Sequence, residues 1–147
     1  MSSYITNADI EQRLGTAKAI ELTDDEGTGV PNEDRLAEAR LGAEGEIDSY
    51  LARRCAVPID LTAWPELAGL LVSVALDLAE YRLYLRKPPI PEDTVRRRTE
   101  AVAWLGRAAA GEVVLPSATT LTANPATLEP GGATSPRVFS REQLEDL

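Results

Sequence analysis

Residues 65–87 read PELAGLLVSVALDLAEYRLYLRK. Pro65 suits the first position of a helix, where an N–H has no intrahelical partner to lose, and Glu66 follows in the first turn, where the helix dipole favours a negative charge. From there through Ala79, apolar residues occupy most of the helical circumference, and a helix apolar nearly all round is one that others surround. The stretch predicts a buried central helix, and hence an all-α fold packed around it.

The segments on either side agree. KPPIPED ends the central helix, and Pro91 opens another over Glu92–Ala110, with Val95, Val102, Leu105 and Ala109 expected inward and Gly111 closing it. Upstream, Leu36, Ala39, Ala43, Ile47, Tyr50 and Leu51 recur every three or four residues, which predicts a long helix from Asn32 to about Arg54. Gly42 and Gly45 interrupt it, each at a cost of about 1 kcal/mol relative to Ala, which close helix–helix approach would explain. Thr6 and Asp9 form a capping-box start for a short helix, Asn7–Leu14, with Ile10 and Leu14 inward and Gly15 as its stop. A second short helix, Thr16–Leu22, places Ala19, Ile20 and Leu22 near the core. Residues 1–111 thus read as a compact bundle of about four helices, made from two short N-terminal segments and three longer core ones. Residues 112–147 are rich in Ser, Thr, Pro, Ala and Gly without helical period, the composition of an extended arm. Its last residues, FSREQLEDL, form a short anchoring motif: Ser140 and Gln143 stand at capping-box positions, and Val138, Phe139, Leu144 and Leu147 are the candidate partner-binding residues.

Composition narrows the function. The 147 residues are 44% hydrophobic but only 5% aromatic, so Ala, Leu and Val fill the core, as helices prefer. A formal net charge of −9 argues against general nucleic-acid binding. The absence of histidine removes the commonest general base and zinc ligand, and the single cysteine, Cys55, reads as a small core residue that can form no internal disulfide. MSSYITNADI lacks the basic and apolar regions of a signal peptide, and Leu67–Leu76 falls short of the ~20 residues that span a bilayer. A soluble chain made in a reducing cytoplasm, without membrane contact, is the expectation.

Three constellations could carry function. LTDDEGTGVPNEDRL, residues 22–36, resembles a twelve-residue calcium loop, with Asp24 at position 1, Glu26 at 3, Thr28 at 5, Gly29 at the glycine of position 6 and Asn32 at 9. Position 12 requires a bidentate Glu and is Arg35, and no second loop pairs with this one. A turn whose acids gather at a helix start accounts for the same residues, so no metal or cofactor is expected. Asp77 and Glu80 lie one turn apart on the central helix; without a third group or a pocket they read as carboxylates paired with arginines such as Arg53, Arg54 or Arg97, and no catalytic residue is assigned. Finally, residues 82–107 carry seven Lys/Arg against three Asp/Glu, including the cluster Arg96, Arg97 and Arg98, whereas residues 1–34 carry two against eight. This polarity suggests a homo-oligomer in which Asp24, Asp25 and Glu26 of one copy meet the arginine cluster of the next, a heterologous contact that closes into a ring.

Five stretches carry a resemblance: YITNADIEQRLG (4–15), LTDDEGTGV (22–30), EIDSYLARRCAVPI (46–59), DLAEYRLYLRKPP (77–89) and RVFSREQLEDL (137–147). In this order and spacing the chain resembles the small head–tail connector family of Mu-like phages and prophages, related to the head-completion adaptors of tailed phages. The resemblance covers essentially the whole chain, most weakly at residues 112–135. Members often have a more aspartate-rich acidic loop, so Glu26 and Thr28 make calcium still less secure here. It implies a non-enzymatic virion protein, assembled in the host cytoplasm. Such adaptors form a ring, typically dodecameric, between the portal protein and the tail or a stopper protein, with DNA passing through unbound. The alternative from the residues alone is a soluble helical binding or regulatory module, with calcium response as its variant. A ring against a monomer or dimer separates the two.

Overall fold

A computed structural model describes residues 3–115, which form five helices and no strand: α1 (Asn7–Leu14), α2 (Thr16–Thr23), α3 (Glu33–Leu51), α4 (Pro65–Arg86) and α5 (Glu92–Ala110). The described residues are all-α, as the sequence predicts. The arm motif, with Val138, Phe139, Leu144 and Leu147, lies outside the described residues.

Local chemistry sets the boundaries. The Thr6 side chain accepts from Asp9 N–H while the Asp9 carboxylate accepts from Thr6 N–H, the reciprocal pair of a capping box. Ile5 and Ile10, at the two positions of a hydrophobic staple, are both buried. Gly15, with φ +84°, ends α1 and begins α2 in one residue. Asn32 caps α3 by accepting from Arg35 N–H, and Gly111, in the left-handed region at φ +86°, ends α5. Helix α3 stops at Leu51 rather than Arg54, and residues 52–54 form a turn.

Helix α4 packs against each of the other four, and Leu71, Val74, Ala75, Leu78, Ala79 and Leu83 are buried along it. Each fully buried leucine of this kind contributes about 1.5–3 kcal/mol. The apolar circumference is not wholly covered, since Leu70 and Leu85 remain 41% and 52% exposed. Against α4 lie Leu36, Ala43, Ile47 and Leu51 of α3, and Ala101, Leu105 and Ala108 of α5, in a single core cluster that also takes in Tyr4, Ile10, Leu22, Cys55 and Ile59.

The inward face of α5 differs from the expectation. Leu105 is fully buried, Val102 and Ala109 are half-buried, and Val95 is 42% exposed, while Thr94 and Ala108 point inward. The Thr94 hydroxyl lies 3.4 Å from Glu80 Oε1 on α4, and Arg97 reaches the same carboxylate. Polar partners on α4 thus set the rotation of α5, where apolar periodicity alone would have chosen valine.

Candidate functional site

Three knots of charged groups join the helices among the described residues. The first joins α1, α4 and α5. Arg97 meets Glu80 fork to fork, Nη1 to Oε2 at 2.9 Å and Nη2 to Oε1 at 3.0 Å, and reaches Asp77 Oδ1 at 3.3 Å and Asp93 Oδ2 at 3.1 Å. Arg13 closes the knot from α1, its Nη2 donating to Asp77 Oδ1 at 2.7 Å. Burial pushes the Asp77 carboxyl up from its ordinary range, opposed by Arg13 and Arg97, while the bond to Glu80 raises Arg97 further. Of the partners expected for Asp77 and Glu80, Arg97 is present; Arg53 and Arg54 are not, and Arg13 takes their place. A bidentate arginine in this position ties helices and occupies both oxygens of Glu80 along with Oδ1 of Asp77.

The second knot lies on Glu46 of α3, which receives Arg82 of α4 at 3.0 Å and Arg98 of α5 at 3.5 Å. Arg98 also stands over the Tyr81 ring, 4.7 Å from its centroid. Gly42 admits the flat face of Arg82: a Cβ there would lie 2.8 Å from Nη1. Gly45 has nothing within 4 Å, so room for the Arg82 guanidinium explains the first glycine, and the expected close approach of helices explains neither.

The third knot holds the acidic loop. The Asp24 carboxylate folds back on its own loop and accepts from Thr28 N–H at 3.0 Å and Gly29 N–H at 2.8 Å, bonds that hold its pKa below the usual carboxylate value. Asp25 turns the other way, to Arg86 and Lys87 at the end of α4, which depress it likewise. Arg35, at the twelfth position, lies 3.9 Å from Asp25 and 3.1 Å from Glu38. Arg86 and Lys87 also donate to the carbonyls of Leu22 and Glu21, satisfying the open end of α2. At the base of the loop Thr23, fully buried, donates to the Ala19 carbonyl at 2.6 Å and accepts from Asn32 N–H at 2.9 Å. Among the described residues, no group of three or more acids and thiols converges as a metal site would require.

The six residues expected at an interface between copies therefore divide. Arg97, Arg98, Asp24 and Asp25 are engaged inside the chain. Arg96 pairs with Asp93 yet keeps a side chain 68% exposed, and Glu26 is exposed. Within one chain the acidic loop meets the end of α4, not the arginines of α5.

Sequence reasoning missed the anchoring of the N-terminal strand of chain. Glu44 Oε1 accepts from Ser3 Oγ and from the N–H groups of Tyr4 and Ile5. The Tyr4 hydroxyl donates to Asp48 Oδ1 at 2.6 Å and accepts from Ile59 N–H at 3.0 Å. Burial raises both the Tyr4 phenol and the Asp48 carboxyl above their ordinary values. The one local signal was a tyrosine placed beside a cap, which marks an apolar body with a polar tip.

The described residues thus form an all-helical bundle cross-tied by arginine–carboxylate knots. Residues 4–132 match the family described as Bacteriophage Mu, Gp36. The chain belongs to that family and is a Mu-like phage protein of the structural or assembly kind. No curated protein matches it. No helix among the described residues is long and apolar enough to cross a membrane.

Proposed function

We propose that the chain is the head–tail connector of a Mu-like phage or prophage, an adaptor ring between the portal protein and the tail or a stopper protein. The observation that carries the reading is membership of the Mu Gp36 family over residues 4–132, together with the succession of sequence stretches from YITNADIEQRLG to RVFSREQLEDL. A rigid five-helix body suits a ring subunit, whose flanks must hold their shape while neighbours pack on them. Arg96 and Glu26 are the members of the two opposed charge clusters that remain at the surface for contacts between copies. The arm residues Val138, Phe139, Leu144 and Leu147 are the anchors for portal or tail. An acidic subunit also suits a channel, because negative walls do not retain passing DNA. The role is structural and not enzymatic: both carboxylates that could have formed an acid–base pair are held by Arg13 and Arg97.

The deciding experiment is deletion of the gene followed by electron microscopy of the induced lysate. DNA-filled or leaky heads beside complete, separate tails are expected. Intact tailed particles would remove the connector role.

A further inference from the structure

Thirteen lysines and arginines lie among the described residues, and ten of them pair with a carboxylate there. The other three, Arg53, Arg54 and Arg107, come from the same end of the molecule. Arg53 and Arg54 follow the last turn of α3, and Arg107 stands in the last turn of α5. Arg54 lies against the end of α5, its Nη1 2.7 Å from where a Cβ on Gly111 would sit, and the negative end of that helix accounts for it. Arg53 and Arg107 also stand at helix ends, where the dipole favours a cation, but both are exposed and neither meets a carboxylate among the described residues.

Between the two helices runs an open groove of about 390 Å³, walled by Ser49, Tyr50 and Arg53 on α3's side and by Gly106, Ala109 and Ala110 of α5. Small residues on one wall and a tyrosine on the other leave room for a large apolar side chain. The chain leaves α5 beside this groove: Gly111 reverses its direction, and Val113 and Leu115 pack back on the core. Beyond Leu115, residues 116–147 end in FSREQLEDL, which holds three acids against one arginine, with Phe139 and Leu144 among them. The 23 intervening residues, 116–138, set a contour of at most roughly 80 Å, well beyond the length of α5.

We propose that residues 139–147 of the same chain dock in the α3–α5 groove, with Phe139 and Leu144 against Tyr50, Gly106 and Ala110 and with Glu142, Glu145 and Asp146 facing Arg53, Arg54 and Arg107. Positions 142, 145 and 146 have the i, i+3, i+4 spacing that puts three acids on one side at helical period. A free subunit then keeps its apolar anchors on its own surface until a partner takes them. The inference rests on residues 139–147 being an anchoring segment and not on the connector assignment.

The test is disulfide trapping in the dilute full-length chain, pairing Leu144→Cys with Ala110→Cys or, as a distant control on the exposed face of α3, with Glu38→Cys. A monomeric cross-link to position 110 at least about tenfold faster than to position 38 is expected, since a docked segment is present at far higher effective concentration. Arg53→Glu with Arg107→Glu should slow it, and Glu142→Arg with Glu145→Arg on that background should restore it. Equal rates at the two positions, disulfide-linked dimers in place of monomers, or a rate indifferent to the charge reversals would each overturn the proposal. Particle assembly plays no part in the readout, so failure here leaves the connector reading to its own experiment.

Discussion

Glu80 of α4 and Arg97 of α5 share two parallel hydrogen bonds, at 2.9 and 3.0 Å, with the glutamate side chain only 9% exposed. Breaking a pair of this kind costs more than the pair contributes, because the surviving charge stays in a poorly solvated place. Arg97→Ala is expected to lower unfolding stability by about 2–3 kcal/mol, somewhat below the ~3–5 kcal/mol of fully buried pairs because Arg97 retains some solvent. Replacing both partners by leucine should recover most of that loss. Urea denaturation of the two single variants and the double variant measures it, and strictly additive losses would show that the two residues do not act together.

Two glycines of α3 should respond oppositely to the same change. Gly45→Ala adds a methyl group to open space and is expected to stabilise by roughly 0.5–1 kcal/mol through helix propensity. Gly42→Ala carries the same intrinsic gain but pushes the Arg82 guanidinium off its seat and strains its contact with Glu46. No net gain is expected there. Thermal melts of the two variants make the comparison, and equal shifts would mean that Arg82 moves aside freely.

Thr23→Val keeps the shape of a buried side chain and removes its hydroxyl. The amide of Asn32 then loses its acceptor at the first turn of α3, a loss expected to cost about 1–3 kcal/mol. Faster hydrogen exchange at the Asn32 amide, compared with the amides of mid-α3, is the direct readout.

Asp25 gives the pH dependence. Its folded pKa lies below the ordinary 3.8 because Arg86 and Lys87 bind the charged form. A depressed carboxyl contributes stability that is present above the unfolded value and lost as pH falls through the folded one. Asp25→Asn should therefore be less stable than the parent at neutral pH, and the difference should close below about pH 4. Asp77, whose pKa is raised by burial, works in the reverse sense and gains relative stability as it takes up a proton in acid. The comparison must therefore be made variant against parent at each pH.

Arg96→Glu tests the contact between copies while disturbing the first knot only at its exposed member, Asp93. Its partner Asp93 is exposed, so the fold should persist, while the ring or its portal-bound form should weaken. Mass photometry with and without portal, beside circular dichroism for the fold, separates the two effects. Unchanged assembly would remove Arg96 from the interface.

Capping chemistry made most of the fold legible in the sequence. Thr6 with Asp9, Asn32, Pro65 and Gly111 each announce a boundary through local bonds, and α1, α4 and α5 begin and end within a residue of the positions those signals indicate. What stayed hidden is set by residues far apart in the chain. Tyr4 meets Asp48 and Ile59, and Arg13 meets Asp77, at separations of 44 to 64 residues that no periodicity reports. Val95 and Thr94 exchanged roles for the same reason, because Glu80 selects the face of α5 from another helix. Gly42 and Gly45 look alike in sequence, and only the position of Arg82 distinguishes them. The charged clusters could be counted but not allotted: Arg97 and Arg98 belong to internal knots, and Arg96 to the surface.

The bond from Asn32 N–H to Thr23 Oγ1 draws the acidic loop shut at its base, while Arg86 and Lys87 clasp the end of α2 from outside it. Those ties hold helices α2 and α3 in register, and within the loop Asp25 adds one more, to Arg86 and Lys87. Beyond Asp25 the loop can gain or shed acids, and even change length, while the scaffold beneath keeps its register. A lineage could retarget this corner of the molecule to new neighbours by altering residues 26–31 alone.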